Sequence, residues 1–143
     1  IDSKYIEIEL TEISDYDDYA EFESFVKKLR RNGISVAIDD FGTGYSTMNI
    51  LKNLDVDVIK IDKSLIDNLE SPKKEDEIVI RNIVNMINEL SIETIAEGVE
   101  TPAQVKFLKR IHCPLVQGFL FDQPLTISDF EKRLRSPHYY ESI

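Results

Sequence analysis

The chain has 143 residues, 42% of them hydrophobic, and a formal net charge of −10. That length suffices for one domain with a buried core, and the acidic balance excludes nonspecific binding to nucleic acid, where Lys and Arg must meet phosphate. A single cysteine, Cys113, excludes an internal disulfide and fits a reducing, cytoplasmic setting, while no apolar run nears the ~20 residues that span a bilayer, so no membrane contact is expected from this segment.

In chain order, Ile6-Glu7-Ile8-Glu9-Leu10 alternates as a strand with one apolar face. Asp15 to Arg31 places Tyr19, Phe22, Phe25, Val26 and Leu29 at helical spacing, and Gly33 ends that helix. Ile34 to Ile38 is a second strand, Ser46 to Leu54 a short helix, and Val56 to Ile61 a third strand. Glu75 to Leu90 is a long helix with Ile78, Ile83, Val84 and Ile87 inward, followed by a strand over Ile92 to Ala96. Pro102 to Ile111 is a helix with Thr101 as N-cap and Pro102 at its first position. Leu115 to Leu120 is a fifth strand and Ile127 to Leu134 a closing helix; residues 136–143 form a tail beyond the core. Five strand–helix repeats predict a parallel α/β sheet, either doubly wound or part of a (β/α) barrel. The 143 residues show no signal-peptide pattern. The chain begins at Ile1, without an initiator Met, and reads as a segment of something longer.

Each strand delivers polar residues near its C-terminal end: Glu9 with Glu12 beyond it, Asp39 and Asp40, Lys60 and Asp62, Glu97 with Glu100 after it, and Gln117. In parallel α/β folds, ligands bind at that edge. The adjacent pair Asp39-Asp40, between an apolar strand and the glycine-bearing loop Phe41-Gly42-Thr43-Gly44, suits either a solvated turn or a metal site. Glu9, Asp39, Asp40 and Glu97 are hard oxygen donors of the kind Mg²⁺ and Mn²⁺ prefer, with no His among them. Lys60 reads as an ion-pair partner for Asp39 or Asp62, as a group that orients water or phosphate, or as both. His112, in a helix-to-strand loop, reads as structural.

These residues also carry a resemblance. Ile8-Glu9-Leu10-Thr11-Glu12, Asp39-Asp40-Phe41-Gly42-Thr43-Gly44-Tyr45-Ser46, Ile59-Lys60-Ile61-Asp62, Ala96-Glu97-Gly98-Val99-Glu100-Thr101 and Gln117-Gly118-Phe119-Leu120-Phe121 with Pro124 resemble, in order, successive motifs of the EAL domain. The resemblance implies a TIM-like (β/α) barrel that hydrolyses cyclic di-GMP to linear pGpG with two Mg²⁺ or Mn²⁺ ions. It further implies that Glu9, Asp39 and Asp40 are metal ligands, Lys60 stands near the attacking water, and Glu97 is the general base. Glu100 and Gln117 then support the water and metal shell. By the same resemblance, Glu12 would steady the loop from Phe41 to Ser46, which in the family couples dimerisation to the site.

Several family features have no counterpart in this chain: the Glu-Ala-Leu motif, the Arg that follows it, and the strand carrying an Asn ligand. A barrel typically takes about 250 residues, so residues 1–135 correspond to the C-terminal part of an EAL domain. The chain alone is then expected to be inactive and to self-associate as a homo-oligomer through open strand edges or the dimerisation loop. A non-catalytic cyclic di-GMP receptor is the competing reading. A receiver-like domain, with Asp62 as phospho-acceptor, would leave Glu9, Glu97 and Glu100 unexplained.

Overall fold

Five strands alternate with helices in the computed structural model, which describes residues 1–11, 19–43, 51–53, 55–70 and 72–135. The strands are β1 (Glu7–Thr11), β2 (Ser35–Phe41), β3 (Val58–Ile61), β4 (Glu93–Ala96) and β5 (Leu115–Val116), in one sheet ordered β1-β2-β3-β4-β5. All neighbouring pairs are parallel. Sequential order with no reversal is the arc of a (β/α) barrel; a doubly wound sheet reverses at a switch point. The helices are α1 (Tyr19–Arg31), α2 (Lys63–Ile66), α3 (Lys74–Glu89), α4 (Pro102–Arg110) and α5 (Ile127–Arg135), with 3-10 turns at Ser3–Tyr5 and Asp67–Glu70.

Three of the helices stop in the same way. After α1, Gly33 (φ 72°) donates to Arg30 O and Ile34 to Leu29 O. After α3, Ser91 (φ 60°) donates to Asn88 O and Ile92 to Ile87 O. After α4, His112 (φ 61°) donates to Lys109 O and Cys113 to Leu108 O. Each is a paired left-handed cap that satisfies helix-end carbonyls and turns the chain back toward the sheet. His112 is therefore structural, as its position in the sequence suggests.

The sheet has two unlike faces because strand side chains alternate. Val36, Ile38, Ile59, Ile61 and Ala96 are fully buried and pack in one core with Phe22 and Val26 of α1, Ile80, Val84 and Ile87 of α3, and Val105, Phe107 and Leu108 of α4. The intervening positions put Glu7, Glu9, Asp39, Lys60 and Glu93 on the opposite, inner side of the arc. At the N-terminal edge, Arg30 binds the Asp57 carboxylate from Nε at 3.1 Å and Nη2 at 2.8 Å, and the other oxygen of Asp57 accepts from Val36 N at 3.0 Å. With both guanidinium donors on one Asp57 oxygen and Val36 N on the other, Asp57 ties the end of α1 to the start of β2.

The structure shifts several expected details. In α3 the buried positions are Ile80, Val84 and Ile87, with Ile83 partly buried against the same core as expected, and Ile78 is exposed; the run Ile78-Val79-Ile80 offers three apolar candidates for one inward turn position. In α1 the buried stripe is Phe22 and Val26, with Phe25 exposed on the flank. β5 stops at Val116, short of Leu120, because the chain turns there: Phe121 N donates to Gly118 O, and Leu120 N donates to Val99 O. The helix expected from Ser46, the start of the first helix at Asp15 and the tail 136–143 lie outside the described residues, except that residues 51–53 are helical.

Ser91 and His112 hold a backbone conformation that costs a non-glycine residue about 1 kcal/mol. Ser91→Gly is therefore expected to raise the urea midpoint by an amount equivalent to about 0.5–1 kcal/mol. A lower midpoint would contradict the cap assignment.

Candidate functional site

The site is built from strand ends at the C-terminal edge of the sheet, and a bulge in β2 shapes it. Ala37 pairs with Val58 and Ile38 with Ile59, but the next match is Phe41 with Ile61. Two residues, Asp39 and Asp40, thus oppose the single residue Lys60. Asp40 takes φ 54°, the left-handed conformation that Asp tolerates better than most residues. A regular strand would have sent Asp40 into the helix-facing core. The extra residue gives that position to Phe41, which is fully buried, and leaves both aspartates beside Lys60 in the register. Phe41 is thus the last residue of β2 and a core side chain, not a member of the loop beside the site where the sequence places it.

Lys60 is the hub. Its Nζ lies 2.8 Å from Glu9, 2.9 Å from Glu97 and 3.2 Å from Asp39, and its side chain is only 7% exposed. Those contacts join β1, β2, β3 and the end of β4 at one nitrogen. Burial opposes the charge on Lys60, but the hydrogen bonds that its ammonium donates to Glu9, Glu97 and Asp39 together outweigh it and hold the ammonium above its ordinary pKa. Glu97 moves in the unfavourable direction: burial raises its carboxyl, Lys60 opposes that, and the neighbouring Asp39 and Glu9 charges reinforce it. The two shifts are compatible, because the one ammonium has three carboxylate partners while buried Glu97 shares that single ammonium with Glu9 and Asp39.

The residue after Glu97 is a glycine of necessity. Gly98 has φ 67°, and a Cβ there would meet the Lys63 stem at 2.5–2.7 Å. Glu100 stands apart from the Lys60 cluster, half exposed, and accepts from Lys63 Nζ at 2.5 Å. Gln117 follows β5; its backbone N donates to Ala96 O and its carbonyl accepts from Val99 N. Glu97, Glu100, Gln117, Asp62, Lys63 and Phe119 line a cavity of about 230 Å³ at this edge. Gly42 (φ 108°) passes close to Leu65, and Thr43 Oγ1 donates to Asp40 O at 3.0 Å. Asp62 caps α2 by accepting from Ser64 N. Glu12 and Gly44 lie outside the described residues.

The chemistry of the donors fits hard divalent cations, since the cluster is all carboxylate. Among the described residues, no three of His, Cys, Asp and Glu close on a common ion position; the carboxylates are gathered around the Lys60 ammonium instead. Two further polar residues are absent from the sequence-based site, Lys63 and Gln104. Gln104 was findable, since it stands three residues after the N-cap Thr101 and completes a capping box with it. Lys63 has no sequence signature beyond following the cap residue Asp62.

Parallel strands in barrel order, with a carboxylate–lysine cluster and a cavity at their C-terminal edge, define a (β/α)-barrel fold with its candidate site at the edge where such folds bind ligands. The chain belongs to the EAL domain family, whose model matches residues 1–124. It is 39% identical over 132 residues to the cyclic di-GMP phosphodiesterase NbdA of Pseudomonas aeruginosa, covering 92% of this chain and 17% of that protein. The solved EAL domain of Mycobacterium smegmatis DcpA superposes with a TM-score of 0.84 at 36% identity, covering 90% of this chain and 57% of that one. Klebsiella pneumoniae BlrP1, solved with manganese and cyclic di-GMP, matches with a TM-score of 0.80 at 33% identity, covering 87% of this chain and 31% of that one. The chain thus spans little more than half of the solved DcpA domain and about a sixth of NbdA.

The electrostatics give two expectations in metal-free buffer. Lys60→Met leaves three carboxylates facing one another without a cation and should destabilise the protein by about 3 kcal/mol in urea unfolding. Glu97→Gln should do the opposite. A carboxyl whose folded pKa is raised contributes stability below its ordinary titration range and loses it as pH climbs through the raised value. The Gln variant should therefore exceed the parent at about pH 7 and match it at about pH 4. A Gln variant less stable than the parent at neutral pH would contradict this electrostatic picture.

Proposed function

We propose that the chain is the C-terminal part, residues 1–135, of a metal-dependent phosphodiesterase domain that hydrolyses cyclic di-GMP to linear pGpG. The observation that carries the reading is the convergence of Glu9, Asp39 and Glu97 on Lys60 at the C-terminal edge of the sheet. The names of NbdA and of the manganese and cyclic di-GMP complex of BlrP1 support the substrate and the need for a divalent ion.

Glu9, Asp39 and Asp40 would hold Mg²⁺ or Mn²⁺, two ions in a whole domain. Such ions supply charge neutralisation and a lowered pKa for water. Glu97 takes a proton from the attacking water; its raised pKa suits a base that must later give that proton up. The water oxygen bonds to phosphorus, the bond from phosphorus to the ribose 3′ oxygen breaks, and that oxygen leaves with a proton as a hydroxyl. Lys60 stays protonated, holds Glu97 in place and offsets the negative charge that builds on the phosphoryl oxygens. Glu100 and Gln117 form the cavity rim on the β4–β5 side.

The described sheet ends at β1 and β5, and both present unpaired edges. In a whole domain further strands would cover them; in this chain alone a second copy would. No described helix is long and apolar enough to cross a membrane.

With Mn²⁺, the full product of the gene that carries this segment is expected to convert cyclic di-GMP to pGpG. Glu97→Gln and Lys60→Met should each lower kcat by about 10²–10⁴-fold, and the 143-residue chain by itself should give no turnover. Binding of cyclic di-GMP without turnover by the full product would assign it instead to a receptor role.

A further inference from the structure

Glu97 sits at the head of a five-residue segment, Glu97–Thr101, that belongs to no helix or strand. A base carried on such a segment must be fixed by something other than secondary structure. The backbone is held at four amides. Glu97 N donates to Ile61 O at 3.0 Å and Val99 N to Gln117 O at 3.0 Å. Glu100 N and Thr101 N both donate to Gln104 Oε1, at 2.8 and 2.9 Å.

Gln104 spends its remaining group on a third element: Nε2 donates to Ile66 O, the last residue of α2, at 3.3 Å. The side chain is 3% exposed, so those bonds have no competition from water. From the other end of α2, Lys63 lays its methylene stem against Gly98, where no side chain larger than hydrogen fits. Its ammonium then closes on Glu100 at 2.5 Å. The short helix α2 therefore grips the segment at both of its ends, once by a buried amide and once by a half-exposed ion pair.

We propose that Lys63 and Gln104 are positioning residues that clamp the Glu97–Thr101 segment and so set the place of the Glu97 carboxylate against Lys60. The proposal rests on the phosphodiesterase reading of Glu97. An exposed ion pair such as Lys63–Glu100 contributes little to global stability. A misplacement of a reacting group by a fraction of an ångström, in contrast, is felt strongly in the rate. The clamp should thus act on turnover more than on folding.

The test uses the full product of the gene with Mn²⁺ and cyclic di-GMP, together with amide hydrogen exchange. Lys63→Met keeps the stem over Gly98 and removes the charge. It is expected to lower kcat about tenfold with KM changed less than about twofold, and to speed exchange at Glu100 and Thr101. Lys63→Arg should restore both. Gln104→Leu should give the larger effects of the same kind; should it fail to fold, the exposed Lys63 variants decide the matter. An unchanged kcat or unchanged exchange in Lys63→Met overturns the clamp. If the parent protein itself shows no turnover, the phosphodiesterase reading fails, and the exchange rates alone still sustain or overturn the clamp.

Discussion

One buried ammonium shared among three carboxylates is the interaction on which the site depends. Carboxylates from β1, β2 and the end of β4 repel one another, and bringing them together takes a cation or a proton to neutralise them. Lys60 supplies that cation from β3, at 2.8 to 3.2 Å from each. The parallel barrel order makes the arrangement possible, since it presents every strand's C-terminal end at one edge. Within the cluster, burial holds the Glu97 carboxyl above its ordinary pKa even with Lys60 beside it.

The backbone departs from regular geometry where the cluster requires it. The β2 bulge places two consecutive aspartates opposite one lysine, which an alternating strand cannot do, and it does so by admitting φ 54° at Asp40. Phe41 fills the core position thereby left open, so the strain beside the site is offset by full burial of an aromatic ring. Past β4, the chain leaves the sheet at Glu97 and needs glycine at 98, because Lys63 crosses there. At Gly118 a Cβ would lie 2.0–2.6 Å from the Val99 backbone, so the segments after β4 and β5 pack directly on each other. These close approaches define the walls of the cavity that Glu97 faces.

Much of this was legible in the sequence. Alternation and helical spacing placed five strands and their helices, and the recurrence of acidic residues at strand ends placed the edge where they meet. The three carboxylates around Lys60 come from positions 9, 39 and 97, all visible as polar breaks in or after apolar runs. What was not legible depends on tertiary contact. Nothing local distinguishes Ile80 from Ile78 as the inward residue of α3; the neighbouring strands decide it. The bulge has no sequence mark beyond the doubled aspartate, so Phe41 reads as loop when it is core. Glu100 reads as part of the acidic cluster, yet in space it faces Lys63, a residue that a sequence pattern treats as an ordinary surface lysine. Gln104 shows that a local motif can carry a distant contact, since its capping box is readable and its bond to Ile66 is not.

On the reading proposed above, the Lys60 cluster is the part of this chain that receives divalent metal and positions the base. A crystal structure of the full gene product with Mn²⁺ and cyclic di-GMP, recorded at the manganese absorption edge, tests it most directly. Anomalous density is expected within coordination distance of Asp39 and Asp40, with Lys60 still in hydrogen-bond contact with Glu97 and a phosphate of the ligand beside them. Manganese bound elsewhere, or a ligand phosphate remote from Lys60 and Glu97, would contradict it.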